Sequence, residues 1–224
     1  MRAPAAGRRA EARSVTPSRQ ALARHGSRTG RHTRGVFTRR SPQVDRRTFS
    51  TAIALSAAGS APAAWAALPN GERAPDFTLD AALGGKPFRF SLAEALARGP
   101  VVLYFFPKAF TSGCTIEAHA FAEATPRFNA LGATVIGVSS DDAETIRRFS
   151  VEACRSQFAV AGDADGKVIR AYDAKMMLMP NMASRISYVI DRGGRIVYSH
   201  QSMSPEGHVA NTLKAVEDLA AAKR

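Results

Sequence analysis

Two cysteines occur in this chain of 224 residues, and their settings differ. Cys114 follows Pro107, Lys108, Ala109, Phe110, Thr111, Ser112 and Gly113, which themselves follow the apolar run Val101–Phe106. A buried strand, a short loop and a helix beginning near Gly113 put Cys114 in a first helical turn. Backbone N–H groups there lack partners and the helix dipole is positive, so a thiolate is stabilised and the sulfur becomes a nucleophile. At about 100° per residue, Cys114 shares a face with Ala118 and Phe121, which turns its sulfur toward a shielded pocket. Thr111 can present a hydroxyl to the sulfur or to an oxygen of a bound substrate. Pro107 offers no N–H and can pack over the site, limiting access. A cysteine so placed is by itself more often a small buried hydrophobe than a nucleophile; strand, proline and threonine in register reverse that reading. Two cysteines exclude a four-cysteine zinc site, and without a Cys-x-x-Cys pair there is no thioredoxin-type dithiol.

The elements that position Cys114 read as one α/β domain from Leu68 to Arg224. Asp76–Leu79 and Pro87–Phe90 alternate in polarity, as expected of an opening hairpin, and Ser91-x-x-Glu94 is a capping box for a short helix. Val101–Phe106 is a strand buried on both faces. The helix carrying Cys114 has an apolar stripe at Phe121, Ala124, Phe128 and Leu131, with Pro126 as a point for a kink. Ala133–Ser139 is a second buried strand, and Asp141-x-x-Glu144 is expected to cap a helix with Ile146, Phe149 and Ala153 inward. Phe158–Ala161 is a third strand. Ile186–Ile190 and Arg195–Tyr198 flank Arg192-Gly193-Gly194 as a hairpin, and Ser204-Pro205 should cap a final helix bearing Val209, Leu213, Val216 and Ala220 on one face.

The spacing Pro-x-x-x-Thr-x-x-Cys, here Pro107, Thr111 and Cys114, resembles the active-site motif of peroxiredoxins. The surrounding Tyr104–Thr115 and Glu117 are most similar to the bacterioferritin comigratory protein, or peroxiredoxin Q, branch, and the resemblance runs from about Gly71 to the C-terminus. It implies a thioredoxin-like fold with a central mixed β-sheet flanked by helices. It implies attack of the Cys114 thiolate on a peroxide O–O bond to give a sulfenic acid, which a thiol then reduces, with no metal, haem or flavin. The substrates would be hydrogen peroxide and organic hydroperoxides, the reductant a thioredoxin-like protein or a small thiol, and the protein a monomer or homodimer. Arg185, in Arg185-Ile-Ser-Tyr-Val-Ile-Asp191, matches a family arginine that favours the thiolate and hydrogen-bonds the peroxide; Glu117 matches a glutamate that positions it. The resolving cysteine that many members carry five residues after the nucleophile is His119 here, a surface residue about 140° around the helix. Cys154, near the end of the following helix, is unsuited to peroxide attack but is placed to resolve the sulfenic acid; the alternative is a packed thiol and a one-cysteine enzyme. Met176, Met177, Met179 and Met182 read as an adaptable apolar wall near the pocket rather than a copper site.

The net charge of +12 sits almost wholly in the first 47 residues, which hold 13 arginines against Glu11 and Asp45; the rest has 18 basic and 17 acidic residues. A basic arm on a neutral domain suits nucleic acid or an anionic membrane surface. The segment after the arm points instead to export: Arg46-Arg47-Thr48-Phe49 resembles a twin-arginine core, residues 51–61 are apolar, and Ala64-Trp65-Ala66 fits a cleavage site. Residues 1–67 are thus expected to be a basic leader plus export signal, with Val36 or Val44 as alternative translation starts. Residues 68–224 would be the peroxiredoxin domain, in the periplasm, or membrane-tethered if the signal is uncleaved, and binding no nucleic acid. The rival readings are a thiol-disulfide oxidoreductase, a redox sensor, and an anionic-surface binder acting through its arginine arm.

Overall fold

A computed structural model describes residues 67–222. The expected leader, with the residues read as a twin-arginine core and a cleavage site, lies outside them apart from Ala67. The described chain opens with β1 (Thr78–Leu83), β2 (Lys86–Ser91), α1 (Leu92–Arg98), β3 (Val101–Phe105) and α2 (Ser112–Ala130). It continues with β4 (Thr134–Ser139), α3 (Ala143–Glu152), β5 (Ala159–Gly162) and α4 (Lys167–Ala171). Then come β6 (Lys175–Met176), β7 (Met179–Ala183), β8 (Ile186–Ile190), β9 (Ile196–Gln201) and α5 (His208–Ala221).

Seven strands form one mixed sheet in the order β2-β1-β5-β4-β3-β8-β9. β3, β4 and β5 run parallel; the strands outside them pair antiparallel. Alternation along β3 shows why its sequence is continuously apolar. Val101, Leu103 and Phe105 enter the core beneath α1 and α4, while Val102, Tyr104 and the following Phe106 enter the core beneath α2, α3 and α5. This is the expected thioredoxin-like arrangement, with the sheet sandwiched between helices.

Ser91 caps α1 as its sequence predicts, accepting a bond from Glu94 N–H. The cap of α3 is Asp142 rather than Asp141; its carboxylate accepts from Thr145 N–H, and Asp141 is buried and engaged elsewhere. Ser204-Pro205 does not start the last helix either. The chain turns again through Gly207 at φ 86°, a left-handed conformation suited to glycine, and helix α5 begins at His208. The methionine run is not an apolar wall. It forms the β6–β7 hairpin, whose residues Met177, Leu178 and Met179 are exposed.

One glycine in the central sheet is required by shape. A Cβ on Gly137 of β4 would lie 2.7 Å from the ring of Tyr104, which stacks on Phe121 at 4.4 Å between centroids. Gly137→Ala is therefore expected to destabilise the fold by about 1–3 kcal/mol through overpacking. Urea denaturation checks this; an unchanged midpoint would show that Tyr104 can move aside.

Candidate active site

The sheet order brings the two ends of the site together. β3 and β8 are antiparallel neighbours, with Phe105 opposite Ile186, so the loop leaving β3 starts beside Arg185 at the entrance to β8. These residues are about 80 positions apart in the chain, and only this strand pairing makes them adjacent.

Asp141 secures the loop. Its buried carboxylate accepts hydrogen bonds from Ala109 N–H at 2.7 Å, Ser139 Oγ at 2.9 Å and Lys108 Nζ at 3.1 Å. These bonds fasten the turn to the end of β4. Phe110 takes φ 64°, uncommon for a non-glycine residue; its ring meets Phe149 edge-on at 5.3 Å and lies 5.2 Å from the Arg148 guanidinium carbon. Thr111 is the N-cap of α2 by backbone geometry, and its carbonyl accepts from Thr115 N–H at 2.9 Å. Its hydroxyl donates to the Lys108 carbonyl at 3.0 Å rather than to a helix N–H or to the sulfur, which leaves the oxygen's lone pairs as acceptors. Pro107 is half-buried at the start of the same loop.

Cys114 is the third residue of α2 and only 2% exposed. Arg185 reaches it from the adjacent strand: Nη2 lies 3.4 Å from Sγ, Nη1 pairs with Glu117 Oε2, and Nε donates to the Met203 carbonyl at 3.1 Å. Burial works against the guanidinium charge, but Glu117 and Cys114 outweigh it and hold Arg185 firmly protonated. For Glu117 the balance is reversed. Burial pushes its pKa up to about 8 despite the opposing pull of Arg185. Its second oxygen, Oε1, has no hydrogen-bond partner and lies 3.6 Å from His208 Nδ1.

Cys154 follows the C-cap of α3 and is fully buried, and burial pushes its thiol well up. It lies in the same apolar cluster as Cys114. The structure thus brings Cys114, Arg185 and Glu117 into contact and sets Pro107 and Thr111 in the loop before them. His119 is half-buried, and neither it nor Thr111 touches the sulfur by a hydrogen bond. The sequence pattern did not disclose Asp141 as the loop anchor or His208 and Ser187 behind Glu117. A buried-strand position for Ser187 was the one available signal of a polar group with a partner to find.

A thiol at the first turn of a helix, paired to a buried guanidinium on a thioredoxin-like fold, defines a cysteine-based peroxidase. The chain belongs to the AhpC/TSA family, whose model matches residues 70–199. It is 35% identical over 150 residues to chloroplastic peroxiredoxin Q of Oryza sativa subsp. japonica, an alignment covering 66% of this chain and 67% of that protein. With chloroplastic peroxiredoxin Q of Arabidopsis thaliana it shares 36% identity over 152 residues, 67% of this chain and 68% of the relative. The crystal structure of peroxidoxin BcpB from Mycobacterium tuberculosis is similar at TM-score 0.60 and 30% identity, over 68% of this chain and 98% of BcpB. Xanthomonas campestris peroxiredoxin Q is similar at TM-score 0.56 and 28% identity, over 63% of this chain and 91% of that one. The chain is accordingly a thiol-dependent peroxidase of the peroxiredoxin Q type, as its motif implies.

This geometry generates two expectations. Asp141→Ala frees the loop from β4 and should lower kcat/KM for hydrogen peroxide by about 100-fold, since small misplacements of reacting groups carry penalties of that size. Steady-state peroxide consumption tests it, with circular dichroism confirming the fold. The second concerns pH. Burial lowers the pKa of His208 from its ordinary 6.5 to about 4, so its contribution to stability is complete above pH 6.5 and is lost as pH falls through 4. Urea denaturation between pH 7 and 4 should therefore show a loss of stability on acidification that is shallower in His208→Gln.

Proposed function

We propose that Cys114 is the nucleophile that takes one oxygen from hydrogen peroxide or a small organic hydroperoxide. The observation that carries this is the 3.4 Å approach of Arg185 Nη2 to a buried Cys114 Sγ at a helix N-terminus. The thiolate attacks one peroxide oxygen; the S–O bond forms as the O–O bond breaks. The electron pair leaves on the other oxygen, which takes a proton and departs as water or an alcohol. Arg185 favours the thiolate and donates to the peroxide oxygens as charge moves between them. Thr111 contributes hydroxyl lone pairs, which can accept the peroxide O–H, and Pro107 screens the sulfur from bulk water.

The sulfenic acid then condenses with a thiol, forming a disulfide and releasing water. In our reading that thiol is Cys154. Both sulfurs belong to one apolar cluster on the same face of the sheet. The two residues after Cys154, Arg155 and Ser156, have φ of 50° and 58°, so unwinding that end relieves backbone strain. The first turn of α2 must open as well. A thioredoxin-like protein or a small thiol would reduce the disulfide, the protein acting as a monomer or homodimer. Residues 1–67 would deliver it to the periplasm through a twin-arginine signal, or tether it if uncleaved.

Intact mass after one equivalent of hydrogen peroxide, with a dimedone trap, tests the chemistry. The full chain should lose two hydrogens, and Cys154→Ser should instead give a dimedone adduct on Cys114. An adduct in both proteins would assign the chain as a one-cysteine enzyme. No oxidation of either would overturn the role of Cys114, and insulin reduction would favour the thiol-disulfide oxidoreductase reading.

A further inference from the structure

Behind the guanidinium lies a second group of polar side chains that the peroxidase chemistry does not use directly. Glu117, Ser187 and His208 are all at most 1% exposed and come from α2, β8 and α5. His208 Nε2 lies 3.0 Å from the Ser202 carbonyl, which only accepts, so Nε2 carries the ring hydrogen. Nδ1 is therefore a lone pair, and Ser187 Oγ donates to it at 2.8 Å. Glu117 Oε1 faces the same lone pair at 3.6 Å with no hydrogen-bond partner of its own. While Glu117 is ionised the Ser187 hydrogen occupies that lone pair, and Oε1 is a buried acceptor with no hydrogen to take, an arrangement that is costly to bury.

One proton removes the conflict: a protonated Oε1 donates to Nδ1, and the Ser187 hydroxyl, free to rotate about its C–O bond, gives up that lone pair. The gap is about 0.6 Å longer than an ordinary N···O bond, within reach of a small side-chain adjustment. Groups from every neighbouring element bear on the pair. Arg185 and Cys114 lie on its catalytic side, and Tyr104 of β3 has a buried hydroxyl with no partner. His200 of β9 stands 4.6 Å from the His208 ring, held through Nδ1 by Asn211 of α5 at 3.4 Å. None of these supplies a hydrogen to Glu117 Oε1.

We propose that His208 is a positioning residue: it holds one proton jointly with Glu117, and that proton decides whether Arg185 is committed to Glu117 or free to serve Cys114. With the proton present Glu117 is neutral, and the guanidinium charge faces the thiolate and the incoming peroxide. Once the proton leaves, two anions compete for one cation and the support of the thiolate weakens. The Ser202 carbonyl fixes the imidazole tautomer so that its acceptor nitrogen faces the carboxyl group. The inference rests on the assignment of Cys114 as nucleophile and adds to it a control of Arg185 from the far side.

The test is the pH dependence of the rate constant for peroxide reduction, read by peroxidase competition on the full chain. In the wild type the rate should fall about tenfold as pH rises past 8, the scale set by one charge-assisted hydrogen bond. Glu117→Gln has no such proton to lose and should show no falling limb. In His208→Leu the acid form loses its acceptor, and the freed Ser187 hydroxyl turns to the carboxylate, so the fall should move to lower pH. A falling limb of the same position in all three proteins overturns the proposal, as does a uniform loss of rate in His208→Leu with the profile unmoved. Histidine-labelled wild-type protein gives a reading free of mutation: the Nδ1 resonance of His208 should move near pH 8, and a resonance constant from pH 6.5 to 9.5 overturns the proposal. If the wild type consumed no peroxide at any pH, the role of Cys114 would fail, while the resonance would still report on the shared proton.

Discussion

A guanidinium that is 4% exposed is the constraint on which this structure turns. A buried charge is tolerated only where it is paired and hydrogen-bonded, and Arg185 meets that condition with three groups from different parts of the chain: Cys114, Glu117 and the Met203 carbonyl. Removing any one of them leaves the charge under-partnered. The geometry around the Cys114 sulfur and the stability of the interior are thereby one problem, and the sheet solves it by pairing β8 with β3 as well as with β9.

The loop between β3 and α2 has the complementary task. It must give up regular hydrogen bonding to expose the first turn of α2, yet it cannot be loose. Asp141 supplies the missing partners by bonding a loop N–H and a loop ammonium group, and Phe110 accepts an unfavourable backbone angle in return for packing between Phe149 and Arg148. Cys154 shows the opposite treatment of the same chemical group. Full burial keeps its thiol neutral, whereas Cys114 has the Arg185 guanidinium 3.4 Å from its sulfur.

Much of this could be read from residue order. Continuous apolarity in Val101–Phe106, the Ser91 capping box and the Gly193-Gly194 turn are local signals, and each element formed where those signals lie. Local signals also misled in a consistent way. Asp141 and Asp142 are equally good caps on composition, and only the burial of Asp141 under the loop decides between them. Ser204-Pro205 has the right residue types for a helix start, but the chain must first carry the Met203 carbonyl to Arg185 before it can turn at Gly207. The methionines were legible as apolar and not as exposed, because exposure depends on what the β6–β7 hairpin packs against. Cys114 with Thr111 and Pro107 was legible through spacing; Arg185 required a family pattern; His208 was invisible because its partners lie on other elements.

The pairing of β3 with β8 also bears on the order in which the protein matures. Strand contacts between residues 101–105 and 186–190 close one of the longest loops in the chain, and non-local contacts of that kind are slow to form. Until they close, Arg185 cannot reach Cys114 or Glu117. The contacts of Arg185 with Cys114 and Glu117 are therefore completed only as the fold itself is completed.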